Sequence, residues 1–397
     1  MATRRGVLSV LLVHALFVQM ISYALRPAIS YAILELGYSS SWLGVATAAF
    51  AIPPLVFALP AGRMADHVGE RLCLVIGALS FLAAGFAALL AGGSLLGLLA
   101  ATVLLGLGVL FSVVGEQAWV MRAAAPARLD SAFGLYTFVT STGQMLGPVL
   151  LSLPHDDGAD VPPFAMIAGI VTCMASLCLI LSLLIPPVHS RSTASRNGRP
   201  RPVLRGAVQL LRMSGVLRAL IVSSLVLSSL DIVLAYLPLL SQERGFAASW
   251  ITIMLVARGA ATMASRITLS HLTRRFGRRH ILVAGSILSA LSLMALALPL
   301  GVFGLTVAMV IYGLAAGTVQ PLTMSWITLL APVRQRGVAA SLRLVGNRAG
   351  QTVIPLVVAG LSVLGGAAIV FGVTGASLVC AAWASTAAPS DDEGTAG

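Results

Sequence analysis

Glu35-Leu-Gly-Tyr-Ser-Ser-Ser-Trp42 is a stretch of the chain that returns 208 residues later as Glu243-Arg-Gly-Phe-Ala-Ala-Ser-Trp250. Other residues recur in the same order at nearly the same offset: Gly69 with Gly277, Arg71 with Arg279, Gly106 with Gly313, Trp119 with Trp326, Pro126 with Pro332, and Arg128 with Arg334. Chance could supply one such pair, but hardly the whole ordered set. The sequence therefore consists of two repeats, each about half of the chain.

The composition excludes an ordinary water-soluble domain. Of 397 residues, 58% are hydrophobic and only 10% are charged, whereas a soluble domain has about 25% charged residues. The charges are also segregated, so that Leu72–Gly115 and Ile281–Val333 contain none. Because a bilayer core takes about 20 apolar residues per helix, each of these two stretches predicts two membrane spans. Backbone groups in lipid must bond within their own segment, so the spans are helices.

Twelve apolar segments follow from this pattern. They lie near residues 7–34, 41–62, 71–91, 95–121, 131–153, 164–186, 214–240, 249–270, 280–299, 303–330, 337–361 and 366–386. The sequence therefore predicts an all-α membrane protein with twelve transmembrane helices, six in each repeat. Two adjacent repeats that begin and end on the same side of the membrane form parallel, pseudo-symmetric bundles around a central cavity.

One long polar segment separates the two repeats. His189–Arg212 is rich in Ser, Arg, Pro and Gly, a composition typical of a linker. The predicted organisation is an N-terminal six-helix bundle over 1–187, a cytoplasmic linker over 188–213 and a C-terminal six-helix bundle over 214–397. A short amphipathic helix around Val203–Met213 is expected at the end of the linker.

The distribution of arginine predicts the orientation. Arginine supplies all 25 basic residues, and the formal net charge is +12, a balance that alone could indicate nucleic-acid binding. The arginines, however, concentrate in alternate loops, whereas an intervening loop carries Asp156, Asp157 and Asp160. The positive-inside rule therefore predicts a multi-pass plasma-membrane protein with both termini in the cytoplasm and no nucleic-acid partner.

The loop between helices 2 and 3 reads Gly62-Arg-Met-Ala-Asp66-His-Val-Gly69-Glu-Arg71. Here the chain resembles the major facilitator superfamily, whose loop signature is Gly-x-x-x-Asp-Arg/Lys-x-Gly-Arg-Arg/Lys. The matching positions are Gly62, Asp66, Gly69 and Arg71. The chain departs from the signature at His67 and Glu70, where the family prefers cations. The resemblance extends from helix 1 through helix 12 and implies the fold of that superfamily.

The resemblance implies that this loop is a cytoplasmic gate. Asp66 would latch the cytoplasmic side when the protein faces outward, at the N-terminus of helix 11 near Gly337 or by pairing with an arginine there, such as Arg343. A tight turn with solvated charges is the alternative. The second repeat keeps Gly277 and Arg279 but has lost the Asp, so the latch prediction applies to Asp66 alone.

Helix 5 resembles the superfamily's antiporter signature, which occurs in drug–proton exchangers. It contains Gly134, then Gly143 after eight residues, then Gly147-Pro148 after three more. Small residues allow close helix packing, and Pro removes a backbone hydrogen bond, so the segment is a candidate hinge. Ordinary glycine packing is the alternative. The family's helix 4 arginine would fall near Thr102, where this chain has none.

Charged side chains within the spans are the candidate site residues. Such a group costs a few kcal/mol on insertion scales and usually faces a cavity or a partner. The set consists of Arg26, Glu116, Asp231, Arg258, Arg343 and Arg348. Arg26 and Asp231 lie on helices 1 and 7, which line the cavity in the superfamily, so the resemblance implies a role in the substrate or proton pathway.

The remaining intramembrane groups leave alternatives open. Glu116 either exchanges protons or is a hydrogen-bonded structural group beside Gln117. Arg258 lies near the middle of helix 8, and Arg348 is predicted to line the cavity from helix 11. The single polar group His14 in an apolar span is interpreted as structural.

A transporter explains the repeats, the motifs and the buried charges together. A membrane-embedded enzyme would need a nucleophile–base pair or a metal cluster, and the histidines show no metal-ligand spacing. The chain has no lysine and therefore no nucleotide-binding Gly-x-x-x-x-Gly-Lys motif. The sequence favours a monomeric exporter without cofactor or metal, which exchanges a small hydrophobic or amphipathic compound for protons. Uptake of a small organic anion, or a non-transporting membrane sensor, stays open.

Overall fold

A computed structural model describes residues 4–123, 129–154, 161–186, 208–213, 215–332 and 335–388. Its helices are α1 (Arg4–Glu35), α2 (Ser41–His67), α3 (Glu70–Ala91), α4 (Leu95–Ala123), α5 (Leu129–Leu146), α6 (Phe164–Leu184), α7 (Val216–Arg244), α8 (Ala248–Phe276), α9 (Arg278–Ala297), α10 (Val302–Leu330) and a last helical stretch Arg336–Ser385. The backbone of that stretch leaves helical geometry at Gly365 and Gly366. We call the parts before and after this kink α11 and α12. The prediction of twelve helices is confirmed.

Most of these helices suit a bilayer. Within the described residues, nine helical segments are long and apolar enough to cross a membrane, and the one over Ser341–Ser385 includes both α11 and α12. The 18-residue α5 and the arginine-bearing α8 are not among the nine. The chain is therefore an integral membrane protein, as the composition predicted.

Helix 5 is shorter than the sequence predicted. The expected span over 131–153 ends as an α-helix at Leu146, and a 3₁₀ helix continues over Gly147–Ser152. Pro148 stands at the start of this 3₁₀ segment and lacks the N–H that would continue the α-helical pattern. Most of the predicted linker over 188–213 and the loop Asp156–Asp160 lie outside the described residues.

The repeated eight-residue stretches form the same turn in each half. Gly37 has φ 77° and Gly245 has φ 63°, a left-handed conformation that glycine adopts without strain. The backbone N–H of Tyr38 donates to the carbonyl of Ile33, and the N–H of Phe246 donates to that of Ser241 in the same way. These bonds close the C-termini of α1 and α7, which explains why the two stretches recur.

Packing divides the described residues into two compact units. The first unit consists of described residues from Met1–Ser190 and Leu234–Gly259. The second consists of described residues from Arg191–Val233 and Ala260–Gly397. In the first unit, α1 packs against α4, α5 and α6, and α3 packs against α4 and α6. In the second unit, α9 packs against α10 and against the last helical stretch. The domain boundaries inferred from the sequence stay a prediction.

Candidate functional site

Arg26 lies beside a narrow cavity in the first unit. Its guanidinium carbon is 4.2 Å from the centre of the Phe50 ring in α2, close enough for a cation–π contact. Thr102 of α4 lines the same cavity. This is the position where the resemblance leads one to expect an arginine. Arg26 of α1 thus brings a guanidinium to a cavity where α4 has only a hydroxyl. The predicted role of Arg26 in the central cavity stays a prediction.

Hydroxyl groups supply the other polar lining of this cavity. The hydroxyls of Thr47 and Thr102 donate to the carbonyls of Leu43 and Leu98, each at 2.8 Å. Since a hydroxyl has one hydrogen, these oxygens remain available as acceptors only. The cavity is narrow, with room for little more than a water molecule, far less than the usual ligand pocket of about 300–1,000 Å³. In this conformation it accommodates a small polar group better than a whole drug-sized compound.

A second arginine, Arg258, contacts an aromatic ring of α1. Arg258 in α8 is 2% exposed, and its guanidinium carbon lies 5.8 Å from the centre of the Tyr23 ring. Tyr23 precedes Arg26 by less than one helical turn of α1. Two arginines therefore contact aromatic faces along this part of the first unit.

In the second unit, a glutamine bridges an acid and a base. The side-chain amide of Gln351 in α11 donates to Asp231 in α7 across 2.6 Å. The amide oxygen of Gln351 accepts a hydrogen bond from Arg348 at 3.1 Å. Asp231 is 5% exposed. The structure thus brings together Asp231 and Arg348, both predicted site residues, through a neutral residue that the sequence analysis did not single out.

A buried polar cluster in the first unit contains Glu116. Its Oε1 lies 2.8 Å from Nδ1 of His14, and both side chains are fully buried. Its Oε2 accepts a hydrogen bond from the hydroxyl of Tyr136 at 2.9 Å. The other ring nitrogen of His14 lies 3.1 Å from the hydroxyl of Ser182. We call His14, Glu116, Tyr136 and Ser182 the buried tetrad; it joins α1, α4, α5 and α6.

The loop motif between α2 and α3 makes an ion-pair network within the first unit. Arg122, at the end of α4, donates to Glu70 at 2.6 Å and to Asp66 at 3.1 Å. The same guanidinium donates to the carbonyl of Ala65 at 2.8 Å. The guanidinium of Arg343 instead contacts the carbonyl and side chain of Gln320 in α10. In this structure Asp66 therefore pairs with Arg122, and the latch stays a prediction.

The other motif residues shape the same loop. Gly69 has φ 117° directly before α3, and Gly277 has φ 77° directly before α9, so both positions favour glycine. Arg71 donates to the carbonyl of Leu183 at 2.7 Å and so caps the C-terminal turn of α6. Gly62 has open space beside its Cα, and Arg279 is exposed.

The glycines of the helix 5 motif have different surroundings. A Cβ added at Gly143 would lie 2.5 Å from the carbonyl oxygen of Leu16, and one at Gly147 would lie 2.7 Å from that of Met20. A Cβ at Gly134 would meet nothing within 4 Å. Gly143 and Gly147 thus allow α5 and its 3₁₀ extension to touch the backbone of α1.

A larger cavity lies in the second unit. Its walls come from α8, α9 and α10, and its empty volume is about 850 Å³. The hydroxyls of Ser265 and Thr318 donate to carbonyls of their own helices. With their hydrogens used in this way, they leave a mainly apolar surface that also includes Leu288 and Phe276. No feature of the sequence indicated this cavity.

Twelve helices, most of them apolar enough to cross a bilayer, with charges buried inside them define the class of protein, a polytopic membrane transporter. A sequence model described as the Major Facilitator Superfamily matches residues 11–267 and 240–396. The chain therefore belongs to this superfamily, whose members are transporters of small molecules and not enzymes. The resemblance inferred from the loop motif is confirmed.

Named relatives and a solved structure agree with this assignment. The chain is 26% identical over 322 residues to multidrug resistance protein MdtH of Aeromonas hydrophila subsp. hydrophila, covering 79% of this chain and 77% of that protein. It is 25% identical to multidrug resistance protein 1 of Bacillus subtilis, covering 72% of each chain. The crystal structure of the nucleoside transporter NupG has a TM-score of 0.79, at 15% identity over 96% of this chain and 98% of that one.

Proposed function

We propose that the chain is a secondary active exporter that exchanges a small hydrophobic or amphipathic compound for protons by alternating access. The observation that carries this proposal is the burial of two acids, Glu116 and Asp231, within apolar helices. Such groups are costly in a bilayer and typically mark a proton or substrate pathway. The names of the two multidrug resistance relatives support the class of compound.

Each unit contributes its own part of the pathway in this proposal. Arg26 and Arg258 stack on aromatic rings in the first unit and would face the polar part of the compound. Asp231 and Arg348, bridged by Gln351, form the corresponding group in the second unit.

The orientation and the assembly state belong to the same proposal. The concentration of arginine in alternate loops, which lie on one side of the membrane, supports cytoplasmic termini and a cytoplasmic linker. Two repeats within one chain supply both halves of an alternating-access transporter. We therefore propose that a monomer in the plasma membrane is the working unit, with the bilayer, the compound and protons as its partners.

Uptake of a small organic anion is the second candidate. It is favoured by the Arg26 cavity, where a guanidinium contributes charge next to small residues. An anionic substrate would use the donors of Arg26, whereas a cationic compound would avoid them. The two candidates therefore differ in the charge of the compound that the chain carries.

Proteoliposomes with an imposed pH gradient test the proposal. We expect ethidium, an amphipathic cation, to accumulate when protons flow down their gradient in the opposite direction, and no gradient-driven uptake of benzenesulfonate, an organic anion that stays charged. Asp231→Asn should reduce this accumulation. The matched control is Glu243→Gln, which changes an exposed acid on the same helix and should leave it unchanged. Flux that ignores the gradient would contradict proton exchange, and no flux of either probe would favour a sensor.

A further inference from the structure

We propose that His14 and Glu116 together hold the proton that the chain exchanges, with Tyr136 and Ser182 fixing the geometry of the pair. This inference rests on the proposed function and names the site within it. The sequence analysis left Glu116 open between a carrier and a structural group, and it interpreted His14 as structural. The geometry of the buried tetrad gives both residues one shared role.

The hydrogen-bond pattern fixes one proton on His14. The hydroxyl oxygen of Ser182 lies 2.7 Å from the carbonyl oxygen of Cys178. A carbonyl oxygen only accepts, so the single hydrogen of Ser182 points to Cys178. The contact between Ser182 and Nε2 of His14 must therefore use a hydrogen on Nε2. This assignment leaves Nδ1 of His14 to interact with Glu116.

One further proton lies between His14 and Glu116. Nδ1 and Oε1 are 2.8 Å apart, a distance that requires a hydrogen on one of the two atoms. If the hydrogen is on Nδ1, the pair is an imidazolium and a carboxylate; if it is on Oε1, the pair is a neutral imidazole and a carboxylic acid. The net charge of the pair is zero in both forms. Tyr136 donates to the other oxygen of Glu116 in either case.

Because the pair is buried, release of the shared proton depends on the conformation of the protein. His14, Glu116 and Ser182 have no exposed surface, and Tyr136 is 4% exposed. Loss of the shared proton would leave one uncompensated negative charge in an apolar interior, which is strongly unfavourable. Release is therefore expected only when α1 and α4 separate enough to admit water. Tyr136 and Cys178 are the other titratable groups near Glu116.

Asp231 accepts a hydrogen bond from the side-chain amide of Gln351 at 2.6 Å. This bond can orient the Asp231 carboxyl group toward a substrate. In this proposal the His14–Glu116 pair holds the exchanged proton, and Asp231 binds the charge of the substrate.

Infrared difference spectroscopy on the purified full chain tests the site directly. On acidification from roughly pH 9 to pH 5, we expect uptake of the shared proton to appear as a carboxylic C=O band if the proton is on Glu116, or as an imidazolium ring band if it is on His14. Glu116→Gln should abolish this band, and Asp231→Asn should leave it in place. The amide introduced by Glu116→Gln can donate to Nδ1 of His14 and accept from Tyr136, so the fold should persist.

A second variant distinguishes loss of the proton site from loss of the fold. Tyr136→Phe removes one donor to Glu116 and leaves the pair intact, so it should shift the band without abolishing it. A wild-type spectrum without a titrating band from either group of the pair, or a band unchanged in Glu116→Gln, would overturn the proposal. These results are independent of transport, so they do not depend on the choice of probe compound.

Flux measurements then separate the site from the proposed function. For one-to-one exchange, a gradient of one pH unit supports about tenfold accumulation. Glu116→Gln should remove that accumulation of ethidium while keeping exchange of ethidium across the membrane without a gradient. Wild-type flux that ignores the gradient would contradict the proposed function. Coupled wild-type flux that survives Glu116→Gln would contradict only the assignment of the proton.

Discussion

Arg122 binds Glu70 through a charge-assisted hydrogen bond of 2.6 Å, and Glu70 is completely buried. The same guanidinium contacts Asp66 and the carbonyl of Ala65. It thereby ties the end of α2 and the start of α3 to the end of α4. This contact gives a physical reason why the loop motif carries an acid at position 70, where the family prefers a cation.

Arg122→Met should destabilise the first unit. It would leave the Glu70 carboxylate buried without its cationic partner Arg122, and removing one partner of a buried pair costs about 3–5 kcal/mol. Thermal unfolding in detergent should show a clearly lower midpoint. The control is Arg63→Met, which changes an exposed arginine near the same loop and should have almost no effect. Equal midpoints for the two variants would show that the pair is unimportant for stability.

Asp66→Asn should separate stability from transport. The Asp66 side chain is 75% exposed, and an exposed ion pair contributes only about 0–1 kcal/mol. The unfolding midpoint should therefore barely change. If Asp66 also acts as the cytoplasmic latch, the transport rate should fall while the binding of ethidium stays close to that of the wild type. An unaltered transport rate would leave Asp66 as a turn residue only.

The helix 5 motif predicts opposite effects at two glycines. Gly143→Val would place side-chain atoms against the backbone of Leu16. An added Cβ alone would lie 2.5 Å from the carbonyl oxygen of Leu16. Overpacking of this kind typically costs about 1–3 kcal/mol, so folded yield and unfolding temperature should both fall. Gly134→Ala meets nothing within 4 Å and should be neutral or slightly stabilising in a helix. A neutral Gly143→Val would exclude the close packing of α1 and α5.

The orientation can be checked by cysteine labelling. In a background without the four native cysteines, Gly158→Cys places a thiol in the acidic loop that the arginine asymmetry assigns to the outside. An impermeant maleimide should label it in intact cells. A cysteine placed at Arg199, in the linker, should react only after the membrane is opened. The reverse pattern would invert the topology.

The helices could be predicted because lipid leaves few choices. Uncharged runs of sufficient length must form helices, and the apolar segments predicted their number. The early end of α5 at Leu146 was harder to anticipate. A proline inside a membrane span is compatible with a bend, a kink or a local 3₁₀ segment, and neighbouring backbone decides among them.

The candidate site was only partly predictable from the sequence. A charge in an apolar segment is conspicuous, so Arg26, Glu116 and Asp231 could be selected at once. Their partners could not, because a contact across 102 residues, as between His14 and Glu116, depends on how each helix is rotated about its axis. Gln351 and the other neutral partners give no such signal, since polar uncharged residues are common along these helices.

Helix α1 also has a mechanical consequence. His14 and Arg26 are twelve residues apart on it, a distance of about 18 Å at 1.5 Å per residue. Between them, the carbonyls of Leu16 and Met20 face Gly143 and Gly147, and Gln144 of α5 donates to the side chain of Gln19 at 3.2 Å. The helix is continuous from His14 to Arg26, so this part of α1 can move as one rod. Any movement of α1 that separates His14 from Glu116 therefore also moves Arg26.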